Sequence, residues 1–215
     1  MAELMTQLHH DQFYIHSEDR GASYGYALAS LPQYQDRVLG LSFCEMVLSE
    51  QLTKQSEFSL DNISAQYEQR GVWNWHIPFF WMPHVPEMLI TGKEREFWTM
   101  FMTQECYNPG ALEQEAVDEW IRNSQQPGGL RGILETYRAH WKNVDVERQG
   151  LKHKLPERMR VLAVGAPEFF GPLVEAQMRM AAERVYHAEV FERCGHSLSL
   201  EAPDRMALVL QKFLE

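Results

Sequence analysis

The chain has 215 residues, 45% apolar, 12% aromatic and 23% charged, which excludes a disordered chain and allows one sizeable core, or a core plus a lid. Its formal net charge is −10 and no Lys/Arg cluster supplies the basic face of a nucleic-acid binder, while Cys44, Cys106 and Cys194, odd in number and widely spaced, make neither a disulfide framework nor a zinc site. The start "MAELMTQLHH" lacks the pattern of a signal peptide and no apolar run reaches the roughly 18–20 residues that span a bilayer, so a soluble, cytoplasmic protein without membrane contact is expected.

Residues 2–9 read as a short amphipathic helix, with Leu4, Met5 and Leu8 at helical spacing. Residues 12–16 read as a buried strand, stopped by the polar knot Ser17-Glu18-Asp19-Arg20. Helix resumes at about Ala22 and ends near Pro32. "RVLGLSFC", 37–44, is a second strand, apolar on both faces as in a parallel sheet covered by helices. Residues 46–153 hold no strand pattern. Helices are read at 86–102, at 111–124 and, after the punctuation "QPGGLRG", at 132–144. Trp73, Trp75, Trp81, Trp98 and Trp120 crowd this block and Trp141 follows. Such an aromatic, all-helical insertion predicts a lid over a pocket. Sheet character returns at 159–165. A helix over 171–181, a strand over 184–191, the loop "CGHSLSLEAP" and a closing helix from Pro203 complete the chain. The expected organisation is an α/β core made of 1–46 and 154–215, with a helical lid at 47–153.

Three positions carry candidate chemistry. "SEDRGA" fits a strand–elbow–helix turn, with Ser17, Gly21 and Ala22 as the small residues a tight turn needs and Asp19 as the nucleophile it lifts clear. In such a turn the N–H of the next residue, Arg20, points at a developing oxyanion. The same residues also fit an ordinary turn with a solvated carboxylate. Glu45 follows the strand 37–44, and His196 follows the last strand. Ligands in open α/β sheets gather at the carboxyl ends of strands, so all three fall on one edge. The order is nucleophile, acid, base.

The segments "SEDRGA", "LSFCEMV", "WNWHIPFFW", "PEMLITGKEREFW", "QPGGLRGILETYRA", "VLAVGAPEFFG" and "CGHSLSLEAPDRMALVLQKFL" resemble the α/β-hydrolases of the epoxide hydrolase and haloacid/haloalkane dehalogenase branch. The resemblance implies a truncated α/β-hydrolase fold with a parallel sheet of about four strands and a helical cap, and no cofactor or metal. It implies Asp19 as nucleophile, Glu45 as the acid, His196 as the base, and His76 and Tyr137 as lid donors to an epoxide oxygen or a halide. Trp75 is expected to line the same pocket. The implied reaction opens an epoxide of an apolar small molecule through an ester on Asp19, which His196, oriented by Glu45, hydrolyses with water. A dehalogenase, a repurposed isomerase or cyclase, and a non-catalytic binding protein are the alternatives. Glu18, where many relatives have His, places a charge beside Asp19 that is expected to raise its pKa, with Arg20 opposing.

The chain departs from this family in beginning at the helix before the nucleophile strand. Four strands are absent, and with them the His-Gly-x-Pro-like motif that supplies half of the oxyanion hole. The strand 12–16 thus lacks its usual neighbour, and a bare strand edge invites association. A homodimer that covers it is expected. Light scattering should give twice the chain mass, and a monodisperse monomer would contradict the expectation.

Overall fold

The computed structural model describes residues 1–48, 75–140 and 144–215. Its four strands, β1 (Phe13–Glu18), β2 (Val38–Cys44), β3 (Arg160–Gly165) and β4 (His187–Val190), pair in parallel in the order β1-β2-β3-β4. Parallel neighbours need a crossover between them. Helix α2 (Arg20–Ser30) supplies the first and α9 (Pro172–Ala181) the last. Between β2 and β3 the chain passes through α3 (His76–Trp81), α4 (Val85–Ile90), α5 (Glu94–Gln104), α6 (Gln114–Gln125), α7 (Gly129–His140) and α8 (Val144–Gly150). The remaining helices are α1 (Ala2–Gln7), α10 (Leu198–Glu201) and α11 (Pro203–Leu214). None of the described helices is long and apolar enough to cross a membrane.

The apolar run of β2 splits by alternation. Leu41 and Phe43 join Val161 and Ala163 of β3 on the face covered by Tyr26 of α2 and Met178 of α9. Cys44 joins Leu162 and Val164 on the face covered by Met206, Val209 and Phe213 of α11. Two-sided burial explains why neither strand alternates in polarity. Each fully buried Val, Leu, Met or Phe among them contributes roughly 1.5–3 kcal/mol. The helical block has a separate cluster, with Phe80, Trp98, Phe101, Ile121, Leu134 and Tyr137 at its centre. Helix α8 instead packs against α2.

Several elements differ from expectation. β1 runs past residue 16 to Glu18, because the main-chain ladder pairs Ser17 with Phe43 and Glu18 with Cys44. The buried Ser17 hydroxyl satisfies itself by donating to the Ser42 carbonyl at 2.7 Å. The helix expected over 86–102 is two, α4 and α5. They part at Gly92, which takes φ +82°, while its N–H donates to the Glu94 carboxylate. Helix α7 starts earlier and stops at His140, with α8 following as a separate helix. The last strand shrinks to four residues. Trp73, Trp141 and the strand-free reading of 49–74 lie wholly or partly outside the described residues.

Not every glycine of the elbow region serves the turn. A Cβ on Gly21 would meet nothing within 4 Å, which corrects the expectation that this position must be small. A Cβ on Gly25, one turn later, would stand 2.9 Å from Ser17 Oγ and 3.1 Å from Ile15 Cγ2. Gly25 therefore sets how closely α2 lies on β1. In urea denaturation Gly25→Ala should lose about 1–3 kcal/mol. Gly21→Ala should be neutral or gain about 0.4–1 kcal/mol through the unfolded chain.

Candidate active site

Asp19 is the residue between β1 and α2 and takes φ +53°, a left-handed conformation for a residue with a Cβ. Such strain costs of order 1–3 kcal/mol and persists where surrounding structure imposes it. Here the Asp19 N–H is fixed to the Cys44 carbonyl at 3.1 Å, and the first turn of α2 pulls the chain away. Glu45, directly after β2, is likewise left-handed at φ +43°. His196 lies in the loop between β4 and α10. The three thus meet at the carboxyl edge of the sheet.

His196 Nε2 stands 3.5 Å from Asp19 Oδ1, with the Asp19 side chain 44% exposed and that of His196 10%. Burial works against both charges. The hydrogen bond and the mutual attraction of the pair outweigh it. Asp19 is held well below the usual carboxylate range, with Arg20 helping through its charge and its backbone N–H. His196 is held up at about 10, where burial alone would lower it, by Asp19 first and then by Glu105 and Glu45. The resting site is therefore a carboxylate–imidazolium pair. Asp19 is lowered overall, so the rise expected from Glu18 does not prevail. The Glu18 carboxylate turns to the Ser199 hydroxyl, which donates to it at 2.6 Å.

Glu45 is fully buried. Its carboxylate accepts the backbone N–H of Phe170 at 2.7 Å and that of Ala166. Burial pushes it up to about 7, opposed by the charge of His196 and by these two bonds. Among the described residues His196 Nδ1 has no hydrogen-bond partner. Glu45 acts on the imidazole through charge, not through the hydrogen bond expected of a triad.

A cavity of about 470 Å³ opens above this edge, lined by Asp19, Arg20 and His196 below and by His76 and Tyr137 of the helical block above. His76 and Tyr137 pack edge to face, ring centroids 5.6 Å apart. Burial, and then the Asp19 charge, raise the Tyr137 phenol, which keeps it protonated. The Arg20 guanidinium lies 3.7 Å over the Tyr137 ring, a cation–π contact that ties α2 to α7. Trp75 does not line the cavity. It packs against Phe79, Phe97 and Phe101 with its edge to His76. Trp98 and Trp120 take the wall positions instead. Tyr24, Trp120 and Leu200 both line the cavity and meet solvent.

Sequence reasoning missed Glu105, which ends α5 and lines the cavity. The signal was present. Trp98, Phe101, Met102 and Glu105 fall at i, i+3, i+4 and i+7, so an acid continues an apolar stripe. Burial pushes its carboxyl up to about 7. Its main-chain carbonyl accepts the N–H of His196 at 2.8 Å. The neighbouring Gly195 must be glycine, since a Cβ there would stand 2.3 Å from that same carbonyl. Glu201 completes the junction, accepting Gly195 N–H at 2.8 Å and Asn108 N–H at 3.0 Å.

By fold the chain is an α/β-hydrolase. Cfl2 of Burkholderia cenocepacia is 28% identical, with a TM-score of 0.83 over 100% of this chain and 69% of that one. A candidate α/β hydrolase from Nostoc gives 23% and 0.83 over 99% and 69%. A candidate epoxide hydrolase from Pseudomonas aeruginosa gives 22% and 0.79 over 99% and 68%. This chain therefore spans somewhat over two thirds of the length of these neighbours. No family model and no curated protein matches it.

The charge pair sets a pH signature. The contribution of His196 to stability is full below the ordinary histidine pKa of about 6.5 and is lost as pH rises through about 10. That of Asp19 is present above the ordinary carboxylate range and lost only at strongly acidic pH. In Asp19→Asn the His196 ring, followed by NMR, should titrate far below 10, toward or under the ordinary histidine value. An unchanged titration would show that Asp19 does not hold the proton.

Proposed function

We propose that the protein opens an epoxide of a largely apolar small molecule through an ester on Asp19 and hydrolyses that ester with water activated by His196. The observation that carries this is the ionised Asp19 at its strained elbow, facing His76 and Tyr137 across one cavity. Attack at saturated carbon needs a nucleophile already charged at neutral pH, and a carboxylate is one. As the Asp19 oxygen bonds to the ring carbon, the ring C–O bond breaks and the alkoxide takes the Tyr137 proton. The ester has no charge, so the main hold on the His196 proton is gone, only Glu105 and Glu45 still favouring it, and His196 passes that proton to the Tyr137 phenolate. Neutral His196 then removes a proton from water as the water oxygen adds to the ester carbonyl. The oxyanion forms against the Arg20 N–H. Collapse breaks the carbonyl carbon–alkoxy bond, the diol oxygen takes a proton from His196, and the freed Asp19 acid returns its own to His196. The net reaction adds one water to the epoxide.

The neighbours described as epoxide hydrolases support this reading. So does the surplus of acids at the cavity: Glu18, Asp19 and Glu105 disfavour an anionic haloacid, and the guanidinium that would bind one lies on Tyr137. A second reading, isomerisation or cyclisation without an ester, draws on Glu105, whose pKa of about 7 suits proton transfer. We further propose that a second copy of the chain covers the edge of β1, which among the described residues pairs on one side only, with β2.

Single-turnover reaction in oxygen-18 water separates these readings. An ester mechanism places unlabelled enzyme oxygen in the first product, and Asp19→Asn should lose at least about 100-fold in rate. Label in that first product, or full activity of the variant, excludes Asp19 as nucleophile. A product with no added oxygen identifies the isomerase, and halide release from a haloacid the dehalogenase.

A further inference from the structure

The cavity holds one acid that no hydrogen bond engages among the described residues. Glu18 is engaged by Ser199, and Asp19 by His196. Glu105 is 8% exposed, yet among the described residues its carboxyl accepts no hydrogen bond; beyond burial, it feels the charge of His196, which lowers its pKa, and that of Asp19, which raises it. Its main chain is fixed at both ends: the N–H donates to the Met102 carbonyl at 3.2 Å, and the carbonyl accepts from His196. The side chain is thereby held on the cavity-facing stripe of α5, after Trp98, Phe101 and Met102. A leucine there would complete the stripe, and a carboxyl buried only for packing is the costliest choice. An acceptor lining a cavity in this way is placed to meet a donor on what the cavity binds.

We infer that Glu105 is a substrate contact, its carboxyl accepting a hydrogen bond from a hydroxyl or ammonium group, so that the preferred substrate is an apolar molecule carrying one such donor. The inference rests on the cavity being the substrate site proposed above. It deepens that reading, because the proposed reaction uses His76 and Tyr137 as donors to the ring oxygen, while Glu105 serves a second group that donates. The aromatic wall takes the apolar body between them. A site built to hydrogen-bond a substrate hydroxyl rejects the analogue that lacks it far more strongly than an apolar wall rejects a methyl group.

The test uses pairs of probes that differ only in the donor. Binding of cinnamyl alcohol and of its methyl ether is measured by calorimetry. Turnover of 3-phenylglycidol and of its methyl ether is measured beside it. The wild-type protein should favour the hydroxyl member of each pair by about tenfold or more. Glu105→Leu should erase that preference while retaining the ether, with thermal stability equal or higher. Glu105→Gln, which keeps an acceptor without the charge, should fall between and serves if the leucine variant does not fold. Equal handling of the two members by the wild type, including failure to bind either, overturns the inference. So does a preference that survives both variants. A binding preference with no turnover of either epoxide leaves Glu105 as the contact and removes the hydrolase reading. Turnover without a preference does the reverse.

Discussion

A carboxylate held against a buried imidazole must share a proton with it on unequal terms, and much of this structure follows from how they do so. Asp19 and His196 approach from opposite ends of the sheet, one after β1 and one after β4. Apart, burial would disfavour the charge on each. Paired at 3.5 Å, each holds the other charged. In the proposed mechanism the nucleophile is thus ready at neutral pH, and the base becomes a base only when the nucleophile has been consumed, so that charge orders the steps.

That pair depends on backbone placement. The left-handed Asp19 is anchored by its N–H to Cys44, and Gly25 lets α2 lie close enough to β1 for the turn to be that sharp. Glu45 buttresses the other side, holding the Ala166 and Phe170 amides at the end of β3. Phe169 and Phe170 then sit beside the His196 ring. Glu45 therefore shapes the wall around the base as much as it biases the base electrically.

How much of this the chain spells out varies with the range of the interaction. Asp19, Glu45 and His196 each follow an apolar run, so the sheet edge they share was legible. Their partners were not: nothing local ties Glu45 to an amide at Ala166, or Glu18 to Ser199. Trp75 misled because adjacency in a helical turn is not shared direction; successive residues diverge by roughly 100°. Glu105 was hidden by the abundance of acids in a chain of net charge −10. Only its place on the stripe of Trp98, Phe101 and Met102 distinguishes it from a solvated one. The break at Gly92 was a glycine in an otherwise continuous helical pattern, where only the positive φ decides between tolerance and termination.

The junction of Glu105, Gly195 and Glu201 has a consequence for traffic. The end of α5 is bonded by its main chain to the residue that carries the base, and Glu201 straps both sides of that seam. Lifting the helical block at this corner would drag His196 off Asp19. The cavity instead meets water at the flank, where Tyr24, Trp120 and Leu200 are exposed, so a molecule reaching the proposed site from that side need not disturb the seam.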